Sequence, residues 1–203
     1  MSLIRLFMIK RVLRRVKQNA NYTNIIGARK GFERMVSKFN NHLSGFSYRQ
    51  FDIHGMKCEW INPDGSDTTR VLLYFHGGGY ATGSINTHRA LVSQIARYAG
   101  IQAMVIDYRL APEHKYPAPI EDAVKAYEWL LAEGFLPQHV AFGGDSAGGG
   151  ITLGTLLYLR DHNRPLPQCA IALSPWTDLT LSGKSYHEKK DHEIGRASCR
   201  ERV

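Results

Sequence analysis

The spacing of apolar positions changes several times along the chain, and each change marks an element. Leu3, Ile4, Leu6, Phe7, Ile9, Leu13 and Val16 recur at roughly helical intervals among basic residues, which predicts an amphipathic helix over 3–18. A second helix is predicted over 29–43. Residues 48–53 and 57–61 read as strands joined by a turn at His54-Gly55-Met56, and 62–66 reads as a polar turn. Residues 70–75 bring Val71-Leu72-Leu73-Tyr74-Phe75, a continuous apolar run of the kind buried on both faces of a parallel sheet. A helix over 87–99 leads to a strand over 103–108, and a helix over 119–133 leads to a strand over 140–142. Residues 143–150 turn the chain into a helix reaching about Arg160, and 168–173 form a further strand. Strands alternating with helices through 70–175 predict an α/β fold built on a doubly wound, mostly parallel sheet.

Composition narrows the class. A hydrophobic fraction of 43% and a mean hydropathy of −0.30 describe an ordinary globular domain. No run of 18 apolar residues exists to span a bilayer. The net charge of +8 is concentrated at one end: residues 1–38 hold ten Lys and Arg against Glu33, leaving a balance of −1 elsewhere. That distribution gives no support to nucleic-acid binding by the body of the protein. It leaves the N-terminal helix two roles, packing over the entrance of its own domain or weak contact with a membrane surface. A secretory signal fits poorly, because Arg5, Lys10 and Arg11 interrupt the apolar stretch. Cys58, Cys169 and Cys199 fit neither a disulfide framework nor a zinc site, and a reducing, cytoplasmic compartment is expected.

Two glycine motifs carry the chemistry. Gly144-Asp145-Ser146-Ala147-Gly148 follows a short apolar strand and precedes a helix, as a nucleophile elbow requires. Glycines two positions either side of the serine are expected because side chains there would collide with neighbouring backbone. The turn would lift the Ser146 hydroxyl to a helix N-terminus, where free N–H groups favour developing negative charge. A phosphate-binding loop does not fit, since no Gly-Lys-Ser/Thr and no G-x-G-x-x-G is present. His76-Gly77-Gly78-Gly79 follows the strand ending at Phe75 and allows close backbone approach to a substrate. Two such motifs in this order point to acyl transfer with an oxyanion hole.

The stretches Tyr74-Phe-His-Gly-Gly-Gly-Tyr-Ala-Thr-Gly-Ser84, Asp107-Tyr-Arg-Leu-Ala-Pro-Glu-His-Lys-Tyr-Pro-Ala-Pro119, Gly143-Gly-Asp-Ser-Ala-Gly-Gly-Gly150 and Ser174-Pro-Trp-Thr-Asp-Leu179 resemble the hormone-sensitive-lipase-like family of α/β-hydrolase esterases, over roughly residues 55–187. The resemblance implies a carboxylesterase acting on a small-molecule ester of short to medium acyl chain, without metal or organic cofactor. It assigns Ser146 as nucleophile, Gly78, Gly79 and Ala147 as oxyanion N–H donors, and His76 with Gly77 as the residues ordering that loop. It makes residues 1–45 a basic N-terminal cap and gives Asp107, Arg109 and Glu113 a bracing role. Asp145 is expected to be a structural hydrogen-bond acceptor, and Met8, Met35 and Met56 ordinary packing or surface residues. A non-catalytic small-molecule-binding protein on the same scaffold, and an amidase, are the rival readings.

A serine needs a base and an acid, in the order Ser, Asp or Glu, His. Asp161-His162 would close the elbow helix away from the site. Asp178 with His187 is a tempting pair, but the family's acid follows the next strand and its histidine the one after. Residues 46–192 are therefore expected to be a partial catalytic domain whose last two strands are missing. Residues 193–203 resemble the read-through of a sequencing adapter and are expected to be a non-native tail, so Cys199 carries no information.

Overall fold

The computed structural model describes residues 25–37, 43–180, 182–184 and 188. The helix expected over 3–18, the residues 193–203, Met8 and His187 lie outside these. The elements run α1 (Ile25–Ser37), β1 (Phe46–Ile53), β2 (Met56–Pro63), β3 (Asp67–Phe75), α2 (Ile85–Ala99), β4 (Ile101–Ile106), α3 (Ala118–Ala132), a 3-10 turn (Pro137–His139), β5 (Val140–Asp145), α4 (Ala147–Asp161) and β6 (Cys169–Leu173). They form a six-stranded sheet in the order β1-β2-β4-β3-β5-β6. β1, β2 and β4 pair antiparallel in succession, and β4, β3, β5 and β6 are parallel. The mostly parallel α/β architecture expected from the alternation of strands and helices is therefore present.

The apolar run of β3 explains the two layers. Val71, Leu73 and Phe75 join a core with Trp60, Met104, Ile106, Tyr127, Leu130, Phe142 and Ile151. Leu72 and Tyr74, pointing the other way, join Ile61, Val92, Ala96, Ala103 and Val105. The first core packs beneath α3 and α4 and the second beneath α2. Met56, at the start of β2, is part of the first core.

Several boundaries differ from the sequence pattern, and four of them have a visible cause. The helix expected over 29–43 is Ile25–Ser37; Leu43 instead gives its N–H to Tyr48 Oη at 3.2 Å. α2 starts at Ile85 because Ser84 and Thr87 form a reciprocal capping box. β4 ends at Ile106 rather than 108, because Asp107 leaves the sheet. Its carboxylate accepts the Ile85 N–H at 2.7 Å, and its own N–H goes to Lys57 O at 2.9 Å. The β1–β2 turn consists of His54 and Gly55 alone, with φ of 49° and 88°. Positive φ at both central residues matches the right-handed twist of the flanking strands.

The bracing expected of Arg109 and Glu113 takes definite form. Arg109 pairs with the buried Asp122 at 3.0 Å and with Glu121 at 2.8 Å, pinning α3 to the loop after β4. Glu113 receives the Arg29 guanidinium of α1 on both carboxylate oxygens, at 2.8 and 2.7 Å. Arg29 also donates to Ala81 O and Ala111 O, both at 2.7 Å, and Ser84 Oγ donates to Glu33. α1 is thus fastened to the segment that follows the His76 loop.

Inside the antiparallel half, Arg89 of α2 meets Glu59 of β2 in a bidentate pair at 2.6 and 2.7 Å, with both side chains buried. Removing one partner strands a charge in a dry interior, so Arg89→Ala is expected to lose about 3–5 kcal/mol in urea unfolding. Arg89→Met combined with Glu59→Leu should lose markedly less. The Arg29 pair makes a second prediction. Arg29 holds the Glu113 carboxyl at about 2, below its ordinary 4.5, so the contact is complete above that ordinary value and is lost as pH falls from there toward 2. Amide exchange of α1 should therefore be about two- to fivefold faster in Glu113→Gln than in the unaltered chain at pH 7, with the difference shrinking as pH falls from 4.5 toward 2.

Candidate functional site

β3 and β5 are neighbours, with Phe75 level with Gly144. The loops that leave their carboxyl ends therefore start side by side, and these are the two glycine motifs. Ser146 stands at the head of α4 with φ 52° and ψ −116° and is exposed, while its neighbour Ala147 is fully buried. That backbone is one L-residues rarely adopt. It is held by the Ser146 N–H bonding Leu173 O at 2.9 Å and by its carbonyl accepting from Trp176 N at 2.8 Å and Gly150 N at 3.1 Å.

Both flanking glycines are required by space. A Cβ on Gly144 would lie 2.3 Å from Gly148 O, and one on Gly148 would lie 1.9 Å from Phe75 O and 2.8 Å from His76 O. The first turn of α4 is thereby pressed onto the backbone at the root of the His76 loop, with no side chain between.

In that loop, successive peptide planes are fixed from their carbonyl side. A trans peptide carries its C=O and N–H on opposite edges, so holding the oxygen aims the hydrogen. His76 O accepts from Tyr108 Oη at 2.7 Å. Gly77 O accepts from His76 Nδ1 at 2.9 Å, which directs the Gly78 N–H away from the ring. Gly78 O, at φ 135°, accepts from Ala81 N, Thr82 N and Thr82 Oγ1 at 2.8–3.2 Å, which directs the Gly79 N–H outward. Among the described residues the N–H groups of Gly78, Gly79 and Ala147 have no protein acceptor. His76 itself is stacked on Tyr108 at 4.3 Å. Burial, and then the proximity of His88, push its imidazole down to about 3, so it stays neutral and is no general base.

Asp145 joins the two loops. Its Oδ1 accepts from Tyr74 Oη at 2.9 Å and from the Gly77 N–H at 3.0 Å, with His88 Nε2 at 3.4 Å. Burial works to raise this carboxyl, but the group is held below its usual value, with the Tyr74 hydroxyl and the Gly77 N–H donating to it. It is an ionised acceptor, in keeping with the structural role expected for it. Tyr74, His88 and Tyr108 were not legible as site residues. The signal they left was a hydroxyl or imidazole inside an apolar stretch, which demands a partner without saying which.

The triad candidates separate cleanly. Asp178 spends its carboxylate on Thr180 N and Oγ1 and on Ser182 N and Oγ, at 2.5–2.9 Å, in a self-contained turn. His162 caps the far end of α4, stacked on Tyr158 at 4.0 Å. An apolar groove of about 920 Å³ runs along α4 from Tyr80, Gly150 and Trp176 to Leu157 and His162, and Ser146 does not line it. Among the described residues no helix is long and apolar enough to cross a membrane.

A family model for the alpha/beta hydrolase fold matches residues 72–201. An esterase structure of the bacterial hormone-sensitive lipase family superposes with a TM-score of 0.83 at 38% identity, covering 91% of this chain and 63% of that one. The chain belongs to the hormone-sensitive-lipase-like α/β-hydrolase esterases. The family's enzymes are carboxylic ester hydrolases. The chain is likewise similar to EstE5 from a crystal soaked with p-nitrophenyl butyrate, with a TM-score of 0.86 and 36% identity over 95% of this chain and 66% of that one. An acetyl-hydrolase of Streptomyces hygroscopicus is 46% identical over 137 residues, 68% of this chain and 46% of the relative. The chain spans just under half the length of the curated relatives it matches.

The strained backbone at Ser146 yields a test. Glycine normally weakens a fold through chain entropy, but here it relieves a conformation that costs about 1–3 kcal/mol. Ser146→Gly is therefore expected to be more stable than Ser146→Ala by about 1 kcal/mol in denaturant unfolding, the reverse of the order at an ordinary helix position.

Proposed function

We propose that this chain supplies the nucleophile and oxyanion hole of a serine carboxylesterase. Ser146 Oγ attacks the ester carbonyl. The N–H groups of Gly78, Gly79 and Ala147 receive the tetrahedral oxyanion, and the alcohol leaves with formation of an acyl-enzyme that water then hydrolyses. The observation that carries this reading is the combination of an exposed serine at φ 52° with neighbouring backbone amides whose own carbonyls are already held. Donors fixed before substrate arrives need no reorganisation as charge develops, which is where such sites derive about 3–4 kcal/mol per donor.

The base and acid are assigned to sequence outside the described residues, since Asp178 and His162 are otherwise engaged. Residues 46–192 then form the catalytic domain's first portion and α1 part of a cap over it. Short to medium acyl chains are the proposed substrates, by similarity to the acetyl-hydrolase and to the protein soaked with p-nitrophenyl butyrate. A cytoplasmic setting is proposed on the free thiols of Cys58 and Cys169.

Turnover of p-nitrophenyl butyrate tests the assignment. In a protein carrying these residues and extended to the length of the relatives, Ser146→Ala is expected to reduce kcat by about a thousandfold or more. The 203-residue chain alone is expected to stay near background. Saturable ester binding without Ser146-dependent turnover in the longer protein would favour a small-molecule receptor, and amides cleaved in preference to esters would favour an amidase.

A further inference from the structure

His88 lies in the first turn of α2, almost wholly buried, and the proposed chemistry of the site leaves it without a task. Its Nδ1 is 2.8 Å from Thr87 Oγ1. That hydroxyl accepts the Ser84 N–H and lies 2.9 Å from Ser84 O, to which it gives its single proton. A proton on His88 Nδ1 therefore completes the set, and a neutral ring protonated there presents Nε2 as an acceptor. At that end the Gly77 N–H points at Nε2 over 3.2 Å. Asp145 Oδ1, at 3.4 Å, is beyond ordinary hydrogen-bond length. A proton on Nε2 would instead meet the Gly77 hydrogen head on.

We propose that His88 is a positioning residue for the oxyanion loop: its neutral, Nδ1-protonated imidazole accepts the Gly77 N–H and, with Asp145, fixes the plane from which the Gly78 and Gly79 amides are aimed. The proposal rests on the reading of those amides as oxyanion donors. Gly77 has no slack with which to absorb the loss, because a Cβ there would already lie 2.1 Å from Asp145 Oδ2 and its carbonyl is tied to His76. With His88 gone, the 76–77 peptide keeps Tyr108 on its carbonyl and Asp145 alone on its N–H, and the orientation of the Gly77 N–H is less closely defined. The ground-state substrate is little affected by such loosening, and the oxyanion strongly, so the cost falls on kcat.

Two measurements test it. Nitrogen-15 NMR of His88 in the chain reports which ring nitrogen carries the proton; Nδ1 is expected, and an Nε2-protonated ring overturns the proposal. In the longer protein, His88→Leu is expected to lower kcat for p-nitrophenyl butyrate about 10- to 100-fold with KM within about threefold, and His88→Gln, which can offer an oxygen to Gly77, to recover activity to within about fivefold of the parent. An unchanged kcat in His88→Leu, or equal losses in both variants, assigns His88 to packing. If Ser146→Ala abolishes turnover and His88→Leu does not, only this proposal fails. If no Ser146-dependent turnover exists at all, the esterase reading fails, and the ring's protonation still decides the Gly77 contact.

Discussion

The carboxylate of Asp145 accepts the Gly77 N–H across a separation of 68 residues, and the site depends on that bond. The proposed acyl transfer needs amide donors from one loop and a nucleophilic hydroxyl from another placed to a fraction of an ångström, and two loops that merely leave adjacent strands do not achieve it. Here the parallel register sets Phe75 level with Gly144, Gly148 lets the helix rest on the backbone of the other loop, and Asp145 then ties the two together. Tyr74 holds the same oxygen from within the sheet, so the tie is anchored to β3 itself.

Peptide planarity does the rest of the aiming. Because Gly77 O and Gly78 O have partners of their own, the two amides on the far edges are directed without any side chain touching them. This is also why the loop is glycine-rich for more than one reason. Gly78 adopts φ 135° over Thr82, whereas Gly77 is excluded from carrying a side chain by the Asp145 carboxylate.

What was readable from the chain and what was not follow a physical division. The strand–glycine–helix order around Ser146, the apolar double-faced run of β3 and the helix expected over 87–99 are local patterns, and local patterns are written in consecutive residues. The parallel sheet followed from their alternation. By contrast, Tyr74 to Asp145, Tyr108 to His76 and Arg29 to Ala81 join residues 32 to 71 positions apart. Only the tertiary arrangement of strands, helices and loops brings these together, and apolar spacing does not encode which polar atom meets which. One boundary difference has the same origin: Asp107 ends β4 early for the sake of a helix that begins at Ile85. The two edges of the sheet also differ: β1 carries Arg49, Gln50 and Asp52, while β6 leaves Ile171 and Leu173 exposed at 49% and 40%. The charged edge discourages pairing and the apolar one invites it.

The seat of Arg29 has a consequence for how movement is shared. Its guanidinium binds Ala81 O, inside the same tight turn whose amides hold Gly78 O, and it binds Ala111 and Glu113 across from it. α1 and the loop that follows His76 are therefore one mechanical unit. A displacement of α1 would be felt in the turn that holds Gly78 O, and motion of the helix passes to the Gly78–Gly79 backbone.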